Sequence, residues 1–180
     1  PMNSRRYRTC STSIWMVPKD KIEDVVDSFR QTLIEKQSFA SGEVGLPYII
    51  QTASRYGMNA LICSFITRPE HPSYYAFVKD GLTTLGEYWK ENPRSHCHDM
   101  MGHIIEWYYN GIAGIKPLKP GFKKVLIKPY LPESMNEMSC KYDSVNGKIF
   151  VSMRREDGKI RLDVKADERI DVEIDKTFIE

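Results

Sequence analysis

The stretch GLTTLGEYWKENPRSHCHDMMGHIIEWYYNGIAGI, Gly81 to Ile115, stands where the character of the chain changes. Before it, apolar residues recur at helical spacing. After it, apolar and polar residues alternate, and turn dipeptides separate the runs. The stretch itself carries a Gly-Thr-Thr run, then Glu87, Tyr88 and Trp89, then Ser95-His96-Cys97-His98, and ends in Ala113-Gly114-Ile115. The fold predicted from this change is α+β in two domains, with the boundary at residues 115/116.

Upstream, Lys19 to Lys36 places Ile22, Val25, Val26, Phe29 and Leu33 on one face of a helix. Pro18 precedes it, and Asp20, Glu23 and Asp24 suit the positive end of the helix dipole. A second helix is predicted over Pro47–Tyr56, with Pro47 in its first turn and Gly57 as its stop. A third runs from an Asn59 cap to Ile66, a fourth over Pro72–Val78, and a fifth over Asp99–Ala113. The fifth is expected to bury Met101, Ile104, Ile105, Tyr108 and Ile112. Short connections predict helical hairpins.

Downstream, Pro120-Gly121 is a turn, and Val125, Ile127, Met138, Cys140 and Tyr142 alternate with polar residues. Asn146-Gly147 and Asp157-Gly158, each flanked by strand-like runs, are strong hairpin signals. Lys148–Arg154, Lys159–Lys165 and Ile170–Ile174 complete a predicted meander.

Apolar residues make up 41% of the chain and charged residues 28%, the balance of a globular protein. A formal net charge of +2 gives no electrostatic case for nucleic acid, and the cluster Arg5, Arg6, Arg8 suits a solvated end. No apolar run reaches the roughly 18 residues that span a bilayer. Cys10, Cys63, Cys97 and Cys140 lack metal-type or redox pair spacing and are too scattered for a disulfide framework. Cys63, in an apolar run, is expected to be a buried thiol.

A carboxylate, aromatic rings and imidazoles crowded into one stretch are the components of a sugar site. A glycosidase needs carboxyl groups flanking the scissile bond, one to protonate the leaving oxygen and one to attack or to activate water. Glu87 is the candidate. Trp89 beside it offers a flat apolar face to a pyranose ring. The competing reading is a solvated loop carboxylate followed by a core tryptophan. The His98 imidazole can donate to or accept from a sugar hydroxyl, or it can be a capping or buried structural group. His96, Cys97, His98 and His103 carry ligand chemistry, but His98 and His103 would lie about 140° apart around a helix, so no metal is assigned. In the triplet Trp107, Tyr108, Tyr109 at least one ring must pack inward. Gly42 to Pro47 lacks the Gly-Lys-Ser/Thr ending of a phosphate loop and is predicted as a tight turn into a helix.

Together these segments resemble the C-terminal part of bacterial α-L-rhamnosidases of glycoside hydrolase family 78. That family shows Gly-Ala-Thr-Thr-Ile-Trp-Glu-Arg-Trp, matched here by Gly81 to Trp89. Its Ser-x-Asn-His is matched by Ser95 to His98, its Gly-x-x-x-Glu-Trp-x-Tyr by Gly102 to Tyr109, and its Ala-Gly-Ile by Ala113 to Ile115. A Pro-Gly-Phe-Lys turn is matched by Pro120 to Lys123, and Gly-x-x-Gly-Thr-Pro by Gly42 to Pro47 with Leu46 for Thr.

The resemblance implies that residues 1–115 are the closing hairpins of an (α/α)6 toroid and residues 116–180 a small antiparallel β-sandwich. It implies an inverting glycoside hydrolase releasing α-L-rhamnose, with Glu87 as general base, His98 contacting the sugar and Trp89 lining the pocket. It implies no cofactor, and a rhamnose-containing carbohydrate as the partner rather than nucleic acid or membrane. Gly86, Tyr88 and Cys97 stand where the family has Trp, Arg and Asn. The family's general acid lies in an upstream Arg-Asp-Glu-Arg type segment that this sequence does not contain, so the chain is expected to have little activity alone. It is also expected to self-associate or to require the N-terminal part of the same enzyme. The alternative, from a different class, is a non-catalytic sugar-binding or assembly module.

Overall fold

A computed structural model describes residues 17–39, 41–90, 94–175 and 177. Arg5, Arg6, Arg8 and Cys10 lie outside the described residues. The chain divides into two compact units between Ile104 and Ile105.

In the first unit a 3₁₀ turn, Lys19–Lys21, leads into α1, Ile22–Lys36. Val26, Phe29 and Leu33 of the predicted face are buried, whereas Ile22 and Val25 are half-buried. The helix ends where Gln37 turns left-handed and its N–H is donated to the Leu33 carbonyl at 2.8 Å. The next helix, α2, is Leu46–Arg55 with Pro47 in the first turn. Gly57 stops it at φ +74°, with Met58 N–H donated to Ala53 and Gly57 N–H to Ser54. Helix α3 is Asn59–Ile66; Asn59 is its first helical residue rather than its cap, and Met58 holds the cap position without a side-chain bond.

The fourth helix, α4, is Tyr74–Lys79, later in starting than predicted because Ser73 caps it. The Ser73 hydroxyl accepts from Tyr75 N–H at 3.2 Å and donates to the Ile66 carbonyl at 2.9 Å, which satisfies a fully buried side chain. Leu82 N–H to Phe77 and Gly81 N–H to Val78 then close α4 in the Schellman pattern.

The predicted fifth helix is not one α-helix. Asp99–Met101 is a 3₁₀ turn, α5 is only Ile104–Trp107, and Tyr108–Ile112 is a π-helical turn. Gly111 accounts for the wide turn: a Cβ there would sit 2.4 Å from the indole of Trp107, which is buried. The changed pitch alters which residues face inward. Met101, Ile104 and Ile112 are buried as predicted, but Ile105 and Tyr108 are exposed and Trp107 is buried instead.

The second unit carries two three-stranded sheets. One has the order β1 (Ile115–Pro117), β2 (Lys124–Ile127), β6 (Asp171–Ile174), and the other β3 (Glu137–Ser144), β4 (Gly147–Glu156), β5 (Lys159–Ala166). The second sheet is wholly antiparallel, as predicted. The first is mixed, because the last strand returns to pair in parallel with β2 instead of extending the meander. Val125 and Ile127 of one sheet and Ile149 and Val151 of the other share one core. Each such side chain contributes about 1.5–3 kcal/mol by leaving water.

The β4–β5 turn uses Asp157 at φ 50° and Gly158 at φ 76°, both left-handed, as a two-residue hairpin requires. The β3–β4 turn differs: Val145 and Asn146 are its tip, and Gly147 opens the next strand opposite Ser144. The Ser144 hydroxyl accepts from Asn146 N–H and donates to the Gly147 carbonyl, which closes this turn. Among the described residues Cys63, Cys97 and Cys140 form no disulfide; Cys63 is half-buried rather than buried, and burial raises the Cys140 thiol above its ordinary value.

Candidate functional site

Between α4 and the 3₁₀ turn at Asp99, the backbone folds back on itself. His98 N–H is donated to the Leu85 carbonyl at 2.8 Å, and Glu87 N–H to the Ser95 carbonyl at 3.0 Å. The Thr84 hydroxyl is donated to the His96 carbonyl. Residues 84–87 and 95–98 are thus two arms of one loop, with Glu87 on the first and His98 on the second. Two polar side chains far enough apart to be separate sequence motifs are brought into register by three hydrogen bonds.

The Glu87 side chain is 16% exposed, and Arg94 Nε lies 3.3 Å from its Oε2. Arg94 is 80% exposed, so the pair is screened and worth roughly 0–1 kcal/mol. Its effect is to hold a cation beside a largely covered carboxylate.

Trp89 lies in an aromatic cluster. It stacks with Phe77 at 5.7 Å and with Phe39 at 6.3 Å between centroids, and meets Tyr74 edge-on at 5.0 Å. Its indole N–H is donated to the Ser41 carbonyl at 3.0 Å. Phe39 also packs edge-on to Phe65 at 5.5 Å, which ties the cluster to α3. Trp89 is therefore embedded on several sides, as a packed aromatic residue. Tyr88, next to it, is exposed, with Lys90 Nζ over its ring at 5.0 Å.

His98 Nε2 pairs with the carboxylate of Glu43, and the two side chains are 20% and 30% exposed. Glu43 belongs to the turn before α2, where Gly45 and Leu46 N–H are both donated to the Gly42 carbonyl at 3.2 Å. The tight turn predicted at Gly42–Pro47 is present. Gly45 keeps it tight, since a Cβ there would lie 2.2 Å from Ser41 Oγ. One short segment, Ser41 to Glu43, thereby grips the loop twice, at Trp89 and at His98.

Glu43, Ser41 and Arg94 were not legible as site residues. The glycines flagged the turn, but nothing local marks a carboxylate whose partner lies 55 residues away. His96, Cys97 and His103 are exposed, and no group of three or more His, Cys, Asp or Glu among the described residues is placed to hold a metal. Glu106 accepts from Asn110 of the following π-helical turn at 3.0 Å.

The family described as the bacterial alpha-L-rhamnosidase six-hairpin glycosidase domain matches residues 3–112, and the bacterial alpha-L-rhamnosidase C-terminal domain matches residues 114–167. An α-L-rhamnosidase of Alteromonas sp. (strain LOR) is 30% identical over 122 residues, covering 62% of this chain and 13% of that protein. One of Formosa agariphila is 26% identical over 157 residues, covering 82% of this chain and 16% of its own length. The chain thus spans well under a fifth of these curated relatives.

Among solved structures, the α-L-rhamnosidase from Dictyoglumus thermophilum superposes with a TM-score of 0.87 at 22% identity, over 96% of this chain and 20% of that one. The Streptomyces avermitilis α-L-rhamnosidase, solved in complex with L-rhamnose, gives a TM-score of 0.85 at 20% identity, over 93% of this chain and 17% of that one. At these identities the structures share the fold. The six-hairpin match alone covers more than half of the 180 residues, and the chain belongs to the bacterial α-L-rhamnosidase family.

Proposed function

We propose that this chain forms the C-terminal part of an inverting α-L-rhamnosidase, with Glu87 as the general base. The observation that carries the reading is the pairing of residues 84–87 with residues 95–98, which brings a partly exposed carboxylate and an imidazole onto two hydrogen-bonded arms. In an inverting reaction the base takes a proton from water as that water attacks the anomeric carbon opposite the leaving group. Glu87 takes this role. His98 holds a sugar hydroxyl, and Trp89 backs the pocket through the aromatic cluster beneath it. The toroid part extends to residue 115, and the β-sandwich follows from residue 116.

The general acid lies outside this sequence, supplied by the N-terminal part of the same enzyme. General acid help is typically worth about 10²- to 10⁴-fold in rate, so alkyl rhamnosides are turned over poorly by the chain alone. A nitrophenyl α-L-rhamnoside needs little leaving-group protonation and isolates the contribution of the base. The chain hydrolyses this substrate slowly, and Glu87→Gln lowers the rate by about 10²-fold. Equal rates in chain and variant, or no turnover by either, would refute Glu87 as a base acting within this chain.

A further inference from the structure

The Glu43–His98 pair does more than join two segments. An ionised carboxylate can only accept hydrogen bonds, so the atom facing it must carry a hydrogen. The atom facing Glu43 is His98 Nε2. A neutral imidazole has one N–H, and with that hydrogen at Nε2 the other nitrogen, Nδ1, is left with a lone pair. Among the described residues the hydrogen bond recorded for the His98 ring is the one through Nε2 to Glu43. The backbone of His98 is itself fixed, because its N–H is committed to Leu85. Ring orientation and hydrogen placement are therefore both set from outside the loop, by one residue of the turn before α2.

We propose that Glu43 is a positioning residue: it holds His98 in the Nε2–H form, so that Nδ1 is a pure acceptor for a donating sugar hydroxyl. This rests on the reading of His98 as the sugar contact. The turn is built for the task. A Cβ at Gly45 would displace Ser41 Oγ from the Gly42 carbonyl to which it is donated, and the Ser41 carbonyl accepts from the Trp89 indole. A displaced turn would move both the Trp89 ring and the imidazole. An acceptor nitrogen also gives selectivity. A sugar hydroxyl satisfies it, whereas an O-methyl or deoxy position leaves it unpaired in a partly desolvated place, at a cost in affinity.

The test is imidazole ¹⁵N NMR on the full chain at pH 8, for wild type, Glu43→Ala and Glu43→Gln. L-Rhamnose titration follows on the same samples. The wild type shows the Nε2–H tautomer at His98. Glu43→Ala relaxes the ring to the mixed tautomer population of a free neutral imidazole and binds L-rhamnose about tenfold more weakly. Glu43→Gln retains the tautomer, because its amide oxygen still accepts from Nε2–H, and it retains most of the affinity. A purely structural role for Glu43 would leave the tautomer unchanged in any variant that keeps the wild-type amide spectrum. That result, or a wild-type His98 protonated at Nδ1, overturns the proposal. A wild type with the expected tautomer response but no rhamnose binding upholds the positioning role and counts against the rhamnose reading alone.

Discussion

The indole N–H of Trp89 is donated to the Ser41 carbonyl, 3.0 Å away across 48 residues of sequence. The same indole stacks with Phe77 and Phe39. Trp89→Phe keeps much of the stacking and loses the hydrogen bond, so it lowers stability by about 1 kcal/mol. Trp89→Ala removes the ring from the cluster and costs about 3 kcal/mol. Urea unfolding of the two variants against wild type measures the difference. Equal costs would mean that the ring contributes nothing beyond its N–H.

Gly114 and Gly158 both have positive φ, +71° and +76°, but their surroundings differ. A Cβ at Gly114 would lie 2.1 Å from the Lys128 carbonyl carbon, in backbone that cannot step aside, because Lys128 N–H is donated to Gly114 at 3.0 Å. A Cβ at Gly158 meets nothing within 4 Å. Gly158→Ala therefore pays only the left-handed penalty, about 1–2 kcal/mol. Gly114→Ala adds steric displacement of the segment after β2 and costs about 3 kcal/mol or more. Thermal unfolding of both variants ranks them, and the reverse order would contradict the close approach.

Asp175, directly after β6, is bonded to three donors. Its Oδ2 lies 2.6 Å from Lys128 Nζ, and its Oδ1 accepts from both the hydroxyl and the N–H of Thr177. The Lys128 bond, then those from Thr177, hold its carboxyl far below the usual carboxylate range. Its folded pKa is lower than its unfolded value of about 3.9, so its contribution is complete above that value and fades as pH falls below it. The stability gap between wild type and Asp175→Asn is accordingly constant from neutrality to about pH 4 and narrows at lower pH. A gap that stays constant down to pH 2 would show that the carboxylate is not the source.

Lys116 shows the opposite case. Burial, then the neighbouring Lys128, lowers its ammonium below the ordinary value, with Asp175 opposing. The folded state therefore holds that proton less firmly than the unfolded chain, and the charge is a cost at neutral pH. Lys116→Met raises the melting temperature at pH 7, and the gain shrinks as pH rises toward the unfolded lysine value of about 10.4 and no longer changes above it. A lower melting temperature for the variant at pH 7 would contradict the burial cost.

Local patterns in the sequence carried as far as local forces act. The face of Val26, Phe29 and Leu33, the Gly57 stop and the Asp157-Gly158 turn follow from periodicity and from φ preference alone. The misread elements are those decided by a second segment. Residues 99–113 keep helical spacing in sequence, yet the approach of Gly111 to Trp107 opens a π turn that periodicity cannot register. The parallel pairing of β6 with β2 depends on where the chain returns, not on the composition of Asp171–Ile174. In the site, Glu87, Trp89 and His98 stand out as residue types in a motif. Glu43 does not, because its significance is a contact made only after α2 and the loop are both in place.

The most direct test of the whole account is amide chemical-shift mapping of L-rhamnose on the ¹⁵N-labelled chain, with His98→Ala as control. Saturable shifts are expected at Glu87, Ser95 and His98 and in the turn at Glu43, weakened in the control. Shifts that are absent, or that fall on the β3–β4–β5 sheet and survive His98→Ala, would contradict it.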